Sequence, residues 1–127
     1  KIPVQQIVVA YDEVAFPVGT SKLKVGGGDN GHNGIKSIVA SLANAKDFAR
    51  LRIGVGHPGD PAAMVSYLTR VTMPADEEAT VEDSVAMDDT LLQHLLSADW
   101  QKAMTRFHAK PVENRDPDQQ SGEDGEN

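Results

Sequence analysis

Strand and helix patterns follow one another along the first sixty positions. Gln6–Ala10 is a short apolar, β-branched run typical of a buried strand, and it ends at Tyr11-Asp12-Glu13. Lys22–Val25 and Arg50–Val55 alternate polar and apolar residues, as half-buried strands do. Between these two, apolar residues recur at helical spacing over Ile35–Leu42, which predicts a helix of about two turns.

Helical spacing dominates the rest of the chain up to about residue 110. Asp60-Pro61 is a helix cap followed by proline at the first helical position, so a short helix is expected there. A longer amphipathic helix is predicted from Asp76 to near Ser97, with carboxylates in its first turn that favour the helix dipole. Ser97-Ala98-Asp99 then predicts the cap of a last helix with one apolar stripe, formed by Trp100, Met104 and Phe107.

Length and composition indicate one domain. A chain of 127 residues can build one modest core, and no apolar run approaches the roughly 18 residues that span a membrane. The sequence has no cysteine, which excludes disulfides and a cysteine nucleophile and fits a reducing compartment, so we expect a cytoplasmic protein. No initiator methionine or signal-like stretch opens the chain, and we expect Lys1 to be an internal position of a longer domain.

The formal charge of −7 is unevenly distributed. Residues 111–127 hold six acids against one arginine and a single apolar residue, so we expect a disordered acidic tail after an α/β domain over residues 1–110. Residues 61–110 are also acidic, with eight acids and four bases, whereas residues 1–60 carry seven bases and five acids. The first half is therefore the predicted face for a polyanion.

The loop Gly26–Gly34 (GGGDNGHNG) contains five glycines and lies between a predicted strand and a predicted helix. Its Gly-x-Gly-x-x-Gly spacing matches a dinucleotide fingerprint, which would make the protein a nucleotide-dependent oxidoreductase. A dinucleotide-binding unit also places an acidic residue at the end of the following strand. Here that strand ends in Val55-Gly56-His57. No Lys-Ser or Lys-Thr directly follows Gly31 or Gly34, so a phosphate loop of the Walker kind fails as well.

His32 and Asn33 lie inside the glycine loop, where side chains that bind or react concentrate. Hydrogen bonds to the turn's own backbone are an equally good interpretation of both residues. The four histidines show no metal-ligand spacing, and we predict no metal site. Cations flank the loop and would lie near a phosphate-binding site, although strand lysines are usually only solvated. These cations are Lys22, Lys24, Lys36, Arg50 and Arg52.

Two long strings carry a resemblance to the bacterial-type peptidyl-tRNA hydrolase family. The first runs from the glycines through Gly31-His32-Asn33-Gly34 to Ile38, and the second is Arg50–Asp60 (RLRIGVGHPGD). Asp12-Glu13 and the closing helix around Ala103–Ala109 fit the same family, so the resemblance covers about residues 1–110. It implies an α/β fold with a mixed, twisted sheet wrapped by helices and truncated at its N-terminal side.

The resemblance also implies an activity and residue roles. The activity is hydrolysis of the ester between a peptide and the 3′ ribose of tRNA, without a cofactor, by a cytoplasmic enzyme that is a monomer when complete. Asp12 would orient the catalytic histidine, Asn33 would place water and substrate, and His32 would support the loop. Lys24 and Arg52 would grip the 5′ phosphate at the tRNA acceptor stem.

The sequence departs from the family pattern in one important respect. The opening segment, with its Gly-Asn-Pro-Gly loop, Thr-Arg-His-Asn catalytic histidine and later Met-Asn pair, does not occur within residues 1–127. Tyr11 also replaces a histidine that many members have before the Asp-Glu pair. These 127 residues alone are therefore expected to be inactive, with Asp12 lacking a histidine to orient. A tRNA-binding module that does not cleave its ligand remains the alternative.

Overall fold

The computed structural model describes residues 2–70 and 72–109. Three strands, β1 (Val8–Glu13), β2 (Ser21–Val25) and β3 (Ala49–Gly54), form one sheet. The five helices are α1 (Asn33–Ser41), α2 (Met64–Leu68), α3 (Ala75–Val85), α4 (Asp89–Leu96) and α5 (Trp100–Ala109). The expectations for Lys1 and for the tail at 111–127 lie outside the described residues.

The sheet is mixed, which confirms the expected fold class. Its strand order is β1-β3-β2, with β3 parallel to β1 and antiparallel to β2. Arg52 of β3 lies between Tyr11 of β1 and Lys22 of β2, and Arg50 of β3 faces Lys24 of β2. Because neighbouring residues across a sheet share a face, this register brings several cations to one side.

Each face of the sheet has its own apolar core. One core holds Tyr11 and Phe48 against the buried face of α1. The other holds Leu23 and Leu51 against α4 and α5, with Phe107 of α5 only 2% exposed. Apolar residues at a helical period give α1 and α5 each one apolar face, and that face packs on the sheet.

Two predicted elements differ from the structure. The residues Val4–Gln6 form a 3₁₀ turn, and β1 begins at Val8 and continues to Glu13 because its last residues pair with β3. The single helix expected from Asp76 to Ser97 is two helices. Ala86 is extended, and the side chain of Asp88 accepts the amide hydrogen of Leu91, so a second helix begins there.

The other predicted helix starts are confirmed. Asp60 accepts the amide hydrogen of Ala62, and Asp99 accepts that of Lys102 at the start of α5. Asp88 also binds the guanidinium of Arg106, which ties α4 to α5. Within residues 2–70 and 72–109, no helix has the length and apolar character needed to cross a bilayer.

Candidate active site at the end of the first strand

The glycine loop delivers His32 to the start of α1. Asp29 closes a turn by accepting the amide hydrogen of Gly31 at 2.8 Å, and Gly31 adopts a φ of 82°. His32 is the N-cap of α1, and its Nδ1 accepts the amide hydrogen of Ile35 at 3.2 Å. A side chain at Gly34 would meet the His32 ring at about 3.0 Å, so glycine leaves room for the ring. His32 therefore caps the helix that follows the glycine loop.

Asp12, at the end of β1, contacts this histidine. Nε2 of His32 lies 3.0 Å from Oδ1 of Asp12, and the Tyr11 ring meets the imidazole edge-on at 5.0 Å between centroids. An amide N–H can only donate, so Nδ1 is an acceptor and the proton of the neutral ring is on Nε2, directed at Asp12. Asp12 and His32 were each predicted as site residues from the sequence, but not as partners of one another.

Asn33 occupies the first position of α1 and is exposed. Its side chain takes part in none of the hydrogen bonds formed by the described residues. Asp12 is also accessible, with 46% of its side chain exposed, compared with 27% for His32. Asp12 and His32 thus place a carboxylate and an imidazole together at a solvent-accessible edge, and the exposed Asn33 follows His32 directly in the chain.

A cavity of about 430 Å³ opens beside Asp12. Tyr67 forms one wall and donates its hydroxyl hydrogen to the carbonyl of Val55. The Arg70 guanidinium lies 4.5 Å from the centre of the Tyr67 ring. The lining residues are Asp12, Val55, Tyr67, Leu68, Arg70 and Met73. No local sequence pattern indicates this cavity, because α2 approaches β1 only in the folded chain. A second cavity, of about 450 Å³ between α4 and α5, contains none of the predicted site residues.

Lys24 and Arg52 lie on one face of the sheet, on neighbouring strands. The Arg52 guanidinium is 4.4 Å from the centre of the Phe16 ring and pairs with Glu13. Burial, and then the nearby charges of Arg52 and Arg50, hold the pKa of Lys24 below its ordinary value of 10.5. Strands lie about 4.8 Å apart, so Arg52 on β3 is about one spacing and Lys24 on β2 about two spacings from β1, whose Asp12 side chain lies on the opposite face.

Arg50, which the sequence predicts to be one of the cations near a phosphate site, is not accessible to a ligand. It is 0% exposed and lies over the Phe48 ring at 4.4 Å. Its Nη2 donates to the carbonyls of Gly27 at 2.7 Å and Lys46 at 3.0 Å, and its Nη1 donates to the carbonyl of Gly28. By donating to these carbonyls, the guanidinium holds the glycine loop in place. Arg50 is therefore not one of the cations that a ligand can reach.

The remaining histidines have other surroundings. Nδ1 of His57 accepts the amide hydrogen of Gly59, and Nε2 of His108 accepts that of Leu23 on the edge strand β2. His94 lies in the last turn of α4. None of these three is bonded to Asp12.

The fold and the site define an α/β domain with a mixed sheet, a polar cluster at the end of an edge strand and a neighbouring cationic face. A family model described as peptidyl-tRNA hydrolase matches residues 1–115. The peptidyl-tRNA hydrolase of Teredinibacter turnerae is 46% identical over 108 residues, which cover 85% of this chain and 55% of that protein. The peptidyl-tRNA hydrolase of Saccharophagus degradans is 41% identical over 110 residues, which cover 87% of this chain and 55% of that protein.

A solved peptidyl-tRNA hydrolase from Acinetobacter baumannii superimposes with a TM-score of 0.72 at 30% identity, covering 83% of this chain and 52% of the other. The chain belongs to the peptidyl-tRNA hydrolase family. It spans about half the length of the curated relatives that it matches.

Proposed function

We propose that this chain forms part of a peptidyl-tRNA hydrolase, which cleaves the ester between a peptide and the 3′ ribose of tRNA. The observation that carries the proposal is the Asp12–His32 pair, 3.0 Å apart at an accessible edge of the same sheet that carries Lys24 and Arg52. An ester hydrolase for tRNA needs both parts, since one site must activate water while the other holds a polyanion.

The proposed role of Asp12 is to orient an imidazole base supplied from outside residues 1–127. Oδ1 is engaged by His32, whereas no hydrogen bond of the described residues uses Oδ2, which is free to accept from a second imidazole. That imidazole takes a proton from water as the water oxygen attacks the ester carbonyl. The bond from the carbonyl carbon to the 3′ oxygen then breaks, and the imidazolium returns its proton to the 3′ oxygen. The Asp12 carboxylate stabilises the imidazolium formed on the way.

His32 itself is not proposed as the base. A general base needs a free lone pair, and the lone pair on Nδ1 of His32 is directed at the amide hydrogen of Ile35. Asn33, next along the first turn of α1, is proposed to place the water and the ester carbonyl. Its exposed amide, without a hydrogen bond among the described residues, supports this role.

Lys24 and Arg52 are proposed to bind the 5′ phosphate of the tRNA acceptor stem. Support comes from their shared face and from the positive charges of Arg52 and Arg50 near Lys24, which favour an incoming anion. The 5′ phosphate and the 3′ ester lie at the same end of a tRNA, so one molecule can reach both groups of residues. This substrate implies a cytoplasmic location, and we further propose that the enzyme acts as a monomer.

The test is single-turnover hydrolysis of peptidyl-tRNA by residues 1–127 joined to a family-like N-terminal segment. Asp12→Ala and Asn33→Ala should each lower the rate by about 10² to 10⁴-fold. Glu82→Gln, an exposed position on α3, is the control and should leave the rate unchanged. Full activity of both site variants would refute the assignment. tRNA binding without turnover in the parent protein would favour the non-catalytic module.

A further inference from the structure

Asp12 and Glu13 are adjacent carboxylates at the end of β1 whose side chains have different partners. Asp12 is exposed and bonds to His32, whereas Glu13 is only 9% exposed. Side chains alternate between the two faces of a strand, so Glu13 shares the face that carries Tyr11 and the cations of β2 and β3. The proposed mechanism gives Asp12 a role and leaves Glu13 without one.

Both carboxylate oxygens of Glu13 are engaged. Oε1 accepts from Nε of Arg52 at 3.0 Å and from Nη2 of Arg52 at 2.5 Å. Oε2 accepts the amide hydrogen of Ala15 at 3.2 Å, in the turn that follows β1. A carboxylate held by the backbone on one side and by a guanidinium on the other has little freedom to move.

Arg52 is correspondingly fixed. One edge of its guanidinium faces Glu13, and its flat face covers the Phe16 ring at 4.4 Å. Its side chain is 14% exposed. Nη1 makes none of the hydrogen bonds formed among the described residues, so it is available to an anion. A planar fork that is oriented in advance loses less conformational entropy when it binds phosphate than a mobile one.

We propose that Glu13 is a positioning residue for phosphate recognition, which aims the Arg52 fork so that it distinguishes a terminal phosphate from a hydroxyl group. The proposal rests on the proposed function of Lys24 and Arg52. A purely electrostatic role for Glu13 has the opposite consequence, because a negative charge beside the cations weakens the binding of every polyanion. Removal of Glu13 should therefore weaken the recognition of a 5′ phosphate if the residue positions Arg52, but should strengthen the binding of every polyanion if its role is only electrostatic.

The experiment measures dissociation constants of the full chain for tRNA with a 5′ phosphate and for the same tRNA with a 5′ hydroxyl. The ratio of the two constants should fall about tenfold in Glu13→Ala, since a misplaced fork loses a charge-assisted hydrogen bond. Binding of the 5′-hydroxyl tRNA should be equal or tighter, because a negative charge is gone. Glu82→Gln removes a carboxylate from exposed α3 and should leave the ratio unchanged.

Two further variants separate positioning from folding. Glu13→Gln keeps the shape and one acceptor for Arg52, so its ratio should be intermediate even if Glu13→Ala fails to fold. In an Arg52→Ala background, Glu13→Gln should cause no further loss of discrimination, because Glu13 acts through Arg52. An unchanged ratio in Glu13→Gln and Glu13→Ala, with discrimination by the parent chain, would overturn this proposal alone. No discrimination by the parent chain would overturn the phosphate site of Lys24 and Arg52 together with it.

Discussion

The imidazole of His32 bridges two elements, with Nε2 at 3.0 Å from Oδ1 of Asp12 and Nδ1 at 3.2 Å from the amide nitrogen of Ile35. The first contact reaches the end of β1, and the second caps the start of α1. One ring thus holds a carboxylate in place and satisfies a helix terminus. The two contacts can be removed separately, because a helix cap needs only a short acceptor.

His32→Ala and His32→Asn should therefore behave differently. Alanine removes both contacts and should lower the free energy of unfolding by about 1 kcal/mol, the usual cost of losing an N-cap. Asparagine is itself a preferred N-cap and should recover most of that loss, while the bond to Asp12 stays broken. Urea denaturation of the two variants measures this difference. Equal destabilisation by both substitutions would show that the cap is not what His32 contributes.

Arg50 is predicted to be important for stability. Arg50→Met should lower the free energy of unfolding by about 2–4 kcal/mol, because the carbonyls of Gly27, Gly28 and Lys46 lose their buried donor. Arg106→Met is the matched control, and it should cost much less because Arg106 and its partner Asp88 are both exposed. A chemical denaturation curve gives both values. A loss at Arg50 no larger than that at Arg106 would contradict the role of the guanidinium in fixing the loop.

Stability should fall in mild acid through His108. Burial, and then the charge of Lys22, hold the pKa of His108 below its ordinary value of 6.5, and Nε2 accepts the amide hydrogen of Leu23. The unfolded chain therefore binds a proton more readily than the folded one. The stability that neutral His108 contributes to the folded chain is present above about pH 6.5, the ordinary pKa of histidine. It is lost as the pH falls through the lowered pKa of the folded state.

His108→Gln should reduce the loss of stability between pH 7 and pH 5, since an amide oxygen can still accept from Leu23 without titrating. His108→Leu should be less stable than the parent chain at pH 7, because leucine provides no acceptor. Thermal melts across this pH range supply the comparison. A pH dependence identical in the glutamine variant and the parent would exclude His108 as its source.

The sequence predicted the strands and helix starts well where local chemistry decides them. Asp60, Asp99 and the β-branched runs needed no tertiary information. The break between α3 and α4 was missed because Val85 and Leu92 are seven residues apart, which fits a continuous helix equally well. Only the cap at Asp88 reveals the interruption, and a single aspartate inside an acidic helix is a weak signal.

The site residues were predicted from a long motif, but their contacts were not. The pairing of Glu13 with Arg52 depends on the parallel register of β1 and β3, which no local pattern encodes. The sequence predicts both Arg50 and Arg52 as exposed strand cations, yet Arg50 is 0% exposed, with its guanidinium over Phe48 and bonded to carbonyls of the glycine loop. Asp12 and His32 come together because the glycine loop folds back over the sheet. The glycines of the loop allow this path, but they do not determine it.

Lys24→Ala should weaken the binding of all tRNAs alike. A phosphate contact carries no sequence information, and its loss should reduce the slope of log affinity against log salt by about one unit. Arg52→Ala should act in the same direction, although it also leaves Glu13 buried without its partner. Lys102→Ala, an exposed lysine on α5, is the control. Loss of affinity for some tRNAs only, or equally for tRNA with and without a 5′ phosphate, would contradict the assignment.

The measurement that bears most directly on the account is peptidyl-tRNA hydrolysis by residues 1–127 alone, beside the same residues joined to a family-like N-terminal segment with its histidine. The ring nitrogens of His32 are both engaged, so the polypeptide alone should turn over at least about 10²-fold more slowly, the lower end of what a general base contributes. Activity confined to the extended form, and abolished there by Asp12→Ala, is the predicted result. Comparable turnover by both polypeptides would contradict the assignment of the base to a histidine outside residues 1–127.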